Sequence, residues 1–185
     1  MKNRLTQLAW YGVLLGMLLG CFAARASDFG PSEYQVKAAF LYNFAKFIKW
    51  PESAFSETNS PLVIGILGED PFGPSLELAL QGKIINGHPL VVRDVDTMAD
   101  VKQCQVVFIC KKPKRNIAQF VNTLHKAGIL IVGETDHFTE AGGMINFVME
   151  DAKVRFEIND SAASKAGLTI SSKLLTLARK REVIQ

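Results

Sequence analysis

Ser171-Ser172-Lys173 sets hydroxyls beside an amine, the ingredients of a Ser/Lys nucleophile pair. Helix capping accounts for the serines and surface charge for the lysine, so this tripeptide does not define a catalytic centre. Glu69-Asp70 supplies two carboxylates, but adjacent side chains diverge and a turn explains them better. The short acidic turn Gly68-Glu69-Asp70-Pro71-Phe72-Gly73 follows an apolar run and precedes a helix. In α/β sheets such turns expose backbone N–H groups to ligands. Glu69, Asp70, Phe72 and Gly73 are therefore candidates for a small-molecule site, although the two acids would repel an anion and the G-x-G-x-x-G pattern is missing. His88, His125 and His137 are far apart in sequence and, with Cys104 and Cys110, form no metal-ligand spacing. The basic run Lys111-Lys112-Pro113-Lys114-Arg115 reads as a solvated loop. No nucleophile beside a base, metal cage or phosphate loop emerges, so the reading is non-enzymatic, with no metal and no cofactor.

The two cysteines bracket Gln105-Val106-Val107-Phe108-Ile109, a buried-strand pattern. A straight strand of that length spans ~20 Å, whereas bridged Cα atoms lie ~4.4–6.8 Å apart. Cys104 and Cys110 are thus expected to be free, with no intramolecular disulfide.

Positioning begins with the stretch from Pro31 to Pro51. Ser32 and Gln35 form a capping-box pattern that starts a helix, and Pro51 stops it. Val36, Ala39, Phe40, Phe44, Phe47 and Ile48 recur at helical spacing, while Lys37, Asn43, Lys46 and Lys49 read as water-facing. Leu41, Tyr42 and Trp50 widen the apolar stripe, so this helix must be covered on more than one side.

Beyond a polar loop at 53–60, apolar runs at 61–68, 90–95, 104–110 and 128–133 alternate with helical patterns at 76–80, 97–101 and 116–127. This alternation predicts a largely parallel sheet in an α/β sandwich. Asn86-Gly87 signals a tight hairpin turn. Runs at 142–149 and 153–158, separated by the turn at Glu150-Asp151, then form a C-terminal antiparallel hairpin at the sheet edge. Asn159 caps a helix through Lys165, Gly167 ends it, and a closing helix is expected over Lys173–Arg181. The expected fold is a single-domain α/β sandwich with a mostly parallel sheet of about six strands, the hairpin, and flanking helices.

The N-terminus reads as an export leader. A basic start precedes an uncharged, mostly apolar run from Leu8 to Ala24, and Ala24-Arg25-Ala26 fits a small-x-small cleavage rule. The expected organisation is a secretory signal peptide at 1–26 and one domain at 27–185. Leu18-Leu19-Gly20-Cys21 suggests lipidation of Cys21, but Leu19 fits that pattern poorly. The formal charge of +3 includes Lys2, Arg4 and Arg25; without them it is about zero, leaving no basic excess to argue for nucleic acid.

Three stretches together resemble the YfiR family of exported bacterial signalling proteins. They are Tyr34 to Phe47 with Trp50-Pro51, Gly68 to Gly73, and Gly142 to Phe147 continuing through Val154 to Asn159 and Gly167 to Leu175. The resemblance implies a periplasmic α/β domain that binds and represses an inner-membrane diguanylate cyclase, YfiN, and is captured by an outer-membrane lipoprotein, YfiB. It would thereby set cyclic-di-GMP level and biofilm formation without catalysis. A homodimer is also open. The resemblance further implies disulfides in family members, one pairing the cysteine that matches Cys104 with a first-strand residue. Here that residue is Gly65, which puts redox sensing in doubt. The partner-binding residues expected on the hairpin are Ile145, Phe147, Arg155, Phe156 and Glu157, with charges on one face and apolar residues alternating beside them. The alternative is a periplasmic small-molecule sensor with its site at the Gly68–Gly73 turn.

Overall fold

Ser32 caps the first helix as its side chain dictates. Its hydroxyl accepts from the Gln35 N–H, and the Gln35 side chain returns a bond to the Ser32 N–H at 2.8 Å. The helix, α1 (Glu33–Phe47), belongs to a compact unit spanning Ser32–Gln185. The computed structural model describes residues 30–110, 121, 124 and 128–179. The expected leader at 1–26 with Cys21, the basic loop 111–115 and most of the helix expected at 116–127, His125 included, lie outside the described residues. Val121 and Leu124 of that helix are helical and buried.

The chain continues through β1 (Ile48–Lys49), a short 3-10 turn (Glu52–Ala54), β2 (Leu62–Leu67), α2 (Pro74–Leu80), β3 (Ile84–Ile85), β4 (His88–Val95), α3 (Met98–Val101) and β5 (Val106–Ile109). After residue 128 come β6 (Leu130–Gly133), β7 (Ile145–Glu150), β8 (Lys153–Ile158), α4 (Asp160–Lys165), β9 (Thr169–Ile170) and α5 (Ser172–Leu177). The main sheet has seven strands in the order β3-β4-β2-β5-β6-β7-β8. Its five central strands are parallel, and β3 and β8 run antiparallel at the two edges. The fully buried runs of β2, β5 and β6 are what a parallel sheet covered on both faces requires.

The expected α/β fold is therefore the observed one, with one more strand in the main sheet than the six read from the sequence. That strand is β3, paired to β4 through Asn86 (φ 51°) and Gly87 (φ 90°), a two-residue turn with both residues left-handed.

Two local expectations are corrected. α1 ends at Phe47, before the stop expected from Pro51, because Ile48 and Lys49 pair with Ile170 and Thr169 in a small second sheet. The closing helix is Ser172–Leu177, shorter than Lys173–Arg181, since the backbone becomes extended at Ala178.

The phase of α1 also differs from the reading above. Its buried residues are Lys37, Ala38, Leu41, Phe44 and Ala45, while Ala39 is exposed. Phe40 and Phe44 pack on Phe156 with ring centroids 5.2 and 5.0 Å away, and Phe44 stacks on Phe147 at 5.5 Å. Tyr34, Phe72 and Phe108 extend the aromatic contact towards the sheet centre, at 5.4 and 4.9 Å. Each such ring contributes about 1.5–3 kcal/mol by burial. α1 is thereby clamped across both the parallel sheet and the C-terminal hairpin.

Candidate functional site: the hairpin face and the sheet edge beneath the first helix

β7 and β8 are joined by Asp151 (φ 49°) and Ala152 (φ 57°), again a turn with two left-handed residues. The register sets Phe147 opposite Phe156, Val148 opposite Arg155 and Asn146 opposite Glu157. Strand alternation sends Phe156 inwards and Lys153, Arg155 and Glu157 towards the other face. Ile145, Phe147 and Phe156 are 0%, 3% and 2% exposed. This corrects the expectation that they lie on a mixed apolar and charged surface: they are core residues that hold the hairpin against α1.

Arg155 and Glu157 remain on the outside, but they do not pair with one another directly. Glu150 lies 3.3 Å from Arg179 and 4.0 Å from Arg155, and Arg179 reaches Glu157 at 3.8 Å. The Arg179 N–H also donates to the Phe156 carbonyl at 2.8 Å, which ties the chain after α5 along the edge strand. Arg155, Glu150, Arg179 and Glu157 thus form one alternating charge network on an aromatic platform. The two pairs made by Glu150 are solvent-exposed and contribute under about 1 kcal/mol each to stability, while Glu157 is half-buried. Arg179 was not legible as a member, because its register against the hairpin depends on where α5 stops. Met149 and Leu177, 47% and 65% exposed, also lie on β7 and α5.

The C-terminal edge of the parallel strands carries the second set of expected residues. Glu69 and Asp70 are exposed, and Asp70 accepts the Phe72 N–H at 2.8 Å, so the turn closes on itself. Gly73 is exposed with φ 51°, and Phe72 is 3% exposed, wedged between Tyr34 and Phe108. Phe72 is therefore a packing residue rather than an open ligand contact.

Beside it lies a feature that local periodicity could not show. Lys37, read as water-facing, is 1% exposed. Its ammonium donates to Glu33 one helical turn away and to Glu134, just past β6, at 2.5 Å. The Tyr34 ring lies 4.6 Å from the ammonium, and the Tyr34 hydroxyl donates to Glu134 at 3.3 Å. Burial pushes the Tyr34 hydroxyl up to about 12, reinforced by the charges of Glu134 and Glu33. The Lys37–Glu134 pair joins α1 to the sheet across 97 residues of sequence.

Cys104 and Cys110 are free and buried. Burial raises their thiols to about 11 and about 12, with Glu134 adding to the shift at Cys110. Both are protonated at neutral pH and poor nucleophiles. Ser171 caps α5 by accepting the Lys173 N–H at 3.2 Å. Among the described residues no group of three His, Cys, Asp or Glu side chains is placed to hold a metal, and no helix is long and apolar enough to cross a membrane. His88 donates from Nδ1 to the Ser60 carbonyl at 2.7 Å, and His137 contacts Glu140 at 2.9 Å.

Comparison with protein families matches residues 34–179 to a family described as YfiR/HmsC-like. No curated protein matches the chain. The matched span begins at Tyr34 on α1 and closes at Arg179, so it takes in the aromatic clamp and the whole charge network.

Proposed function

Because this chain belongs to the YfiR/HmsC-like family, we propose that it is a non-enzymatic periplasmic regulator that binds and represses an inner-membrane diguanylate cyclase. In this reading the protein is exported by the leader at 1–26, the domain at 27–185 acts in the periplasm, and repression lowers cyclic-di-GMP and biofilm formation. A YfiB-like outer-membrane lipoprotein would relieve repression by competing for the domain.

The observation that carries this reading is the hairpin face. Arg155, Glu150 and Arg179 are accessible, Glu157 is half-buried beside them, and the four alternate in sign on a rigid aromatic base. Alternating exposed charges give partner discrimination and encounter rate more than raw affinity, which suits a repressor that must also let go. The turn at Gly68–Gly73 has less to offer a ligand, because Phe72 is buried and Asp70 is engaged by the turn backbone.

Charge reversal tests the face. Glu157→Lys removes the contact with Arg179 and places like charges together at a half-buried position, so a thermal melt accompanies the test to show that the variant is folded. Cells carrying this variant at normal abundance should show derepressed cyclase output. Unchanged repression by a folded Glu157→Lys protein removes Glu157 from the interface.

A further inference from the structure

β4 is closed on one side and open on the other. Leu90 to Val95 pair with Leu62 to Leu67 of β2, whereas β3 covers only His88 and Pro89 on the outer side. The Leu90 N–H donates outwards to the Lys83 carbonyl at 3.1 Å. Strand alternation then turns the backbone groups of Val92 and Asp94 outwards too, where no strand of the described residues meets them. Such an edge is a template for a further strand.

A groove of about 490 Å³ runs beside this edge, between α2 and β4. Leu78, Leu80, Leu90 and Val92 line it together with Glu77. Leu78 on α2 is 67% exposed, apolar surface that an added strand would cover. Backbone bonding at an edge, with pockets for alternate side chains, is how an extended segment is recognised.

The charges select the occupant. Arg93 and Asp94 are exposed and, as strand neighbours, lie on opposite faces. A second copy's β4 fits poorly. Two-fold pairing sets Arg93 against Arg93 or Asp94 against Asp94, or else calls on Leu90, whose N–H is already bonded. A fitting antiparallel segment carries a base, an acid and an apolar residue in that order. The sequence after Arg179 supplies them: Lys180-Arg181-Glu182-Val183-Ile184-Gln185. We propose that residues 181–184 of a second copy add to this edge, with Arg181 opposite Asp94, Glu182 opposite Arg93 and Val183 opposite Val92. Val183 then covers the groove, and Ile184 lies beside half-buried Val91. A copy cannot reach its own β4. Arg179 is bonded to β8, five strand spacings or ~24 Å from β4. Arg181 follows Arg179 by only two residues, ~7 Å of chain. The contact therefore joins copies head to tail. It uses the sheet edge opposite the hairpin face and does not rest on cyclase binding.

A fluorescein-labelled, C-terminally amidated peptide Lys-Arg-Glu-Val-Ile-Gln is titrated with the purified full chain and followed by anisotropy. The expected result is saturable binding with half-saturation below about 500 µM. The Arg93→Glu/Asp94→Arg variant, shown folded by a thermal melt, should bind this peptide about fivefold more weakly. It should prefer the exchanged peptide Lys-Glu-Arg-Val-Ile-Gln. Removal of residues 180–185 leaves β4 untouched and should abolish the concentration-dependent association of the parent in sedimentation velocity. No saturable binding up to about 500 µM overturns the proposal. Equal binding of the first peptide by the charge-exchanged variant, or parent self-association that removal of residues 180–185 leaves unchanged, overturns it as well.

Discussion

A cysteine placed at Gly65 should bridge to Cys104. A Cβ built on Gly65 lies 2.7 Å from the Cys104 sulfur and 3.2 Å from the two Val95 methyl carbons. In an unbonded state 2.7 Å is a clash with a buried sulfur, so Gly65→Ala should destabilise by about 1–3 kcal/mol through overpacking. A covalent bond turns that proximity into an asset, because bonded sulfurs lie well inside contact distance. Closing a loop of about 40 residues removes about 4 kcal/mol of unfolded-chain entropy. Crowding from Val95 returns about 1 kcal/mol of this. The oxidised Gly65→Cys protein should therefore melt about 6–12 °C above the same protein reduced, since each kcal/mol moves a domain of this size by about 2–4 °C. Melting curves with and without reductant give the difference, and peptide mapping under non-reducing conditions identifies the bond. The reasoning is refuted if the 65–104 bond fails to form under oxidising refolding, or if it forms without raising the melting temperature. It is also refuted if Gly65→Ala is as stable as the parent.

Other consequences are as direct. Lys37→Met takes the Lys37 ammonium away from two carboxylates, the buried Glu134 and Glu33, and chemical denaturation should show a loss of about 3–5 kcal/mol, far beyond a surface lysine. Stability should fall as pH rises above about 9: the unfolded chain then ionises its thiols at about 9.0 and its tyrosine at about 10.0, while the folded chain holds Cys104, Cys110 and Tyr34 protonated up to about 11 or 12. Melting temperatures from pH 7 to 11 check this, and a flat profile above pH 9 would contradict it. Ala152→Gly relieves a left-handed alanine in the β7–β8 turn and should stabilise the protein by about 0.5–1 kcal/mol in denaturant titration. A loss of stability there would show the turn is not strained.

Much of the fold was legible because its signals are local. The Ser32–Gln35 cap, the Asn86-Gly87 turn, the Asn159 cap and the continuous apolar runs of β2, β5 and β6 each depend on neighbours in sequence. What escaped depends on partners far along the chain. Lys37 reads as a solvent residue until Glu134 arrives from 97 positions away to neutralise it. Ile48 and Lys49 read as helix until β9 offers them a strand partner. On the hairpin, alternation separated Phe156 from Arg155 and Glu157, but only the packing of α1 shows that Ile145, Phe147 and Phe156 are covered. The charge network needed Arg179 brought back along β8, a consequence of where α5 ends.

Direct binding tests the central claim most sharply. The purified protein and the periplasmic part of a diguanylate cyclase from the same organism are mixed at micromolar concentration and their association measured by calorimetry, for the parent and for Glu157→Lys. The account predicts a stable complex for the parent and a weakened one for Glu157→Lys, both proteins being folded. A folded parent protein that shows no association with the cyclase domain would contradict it.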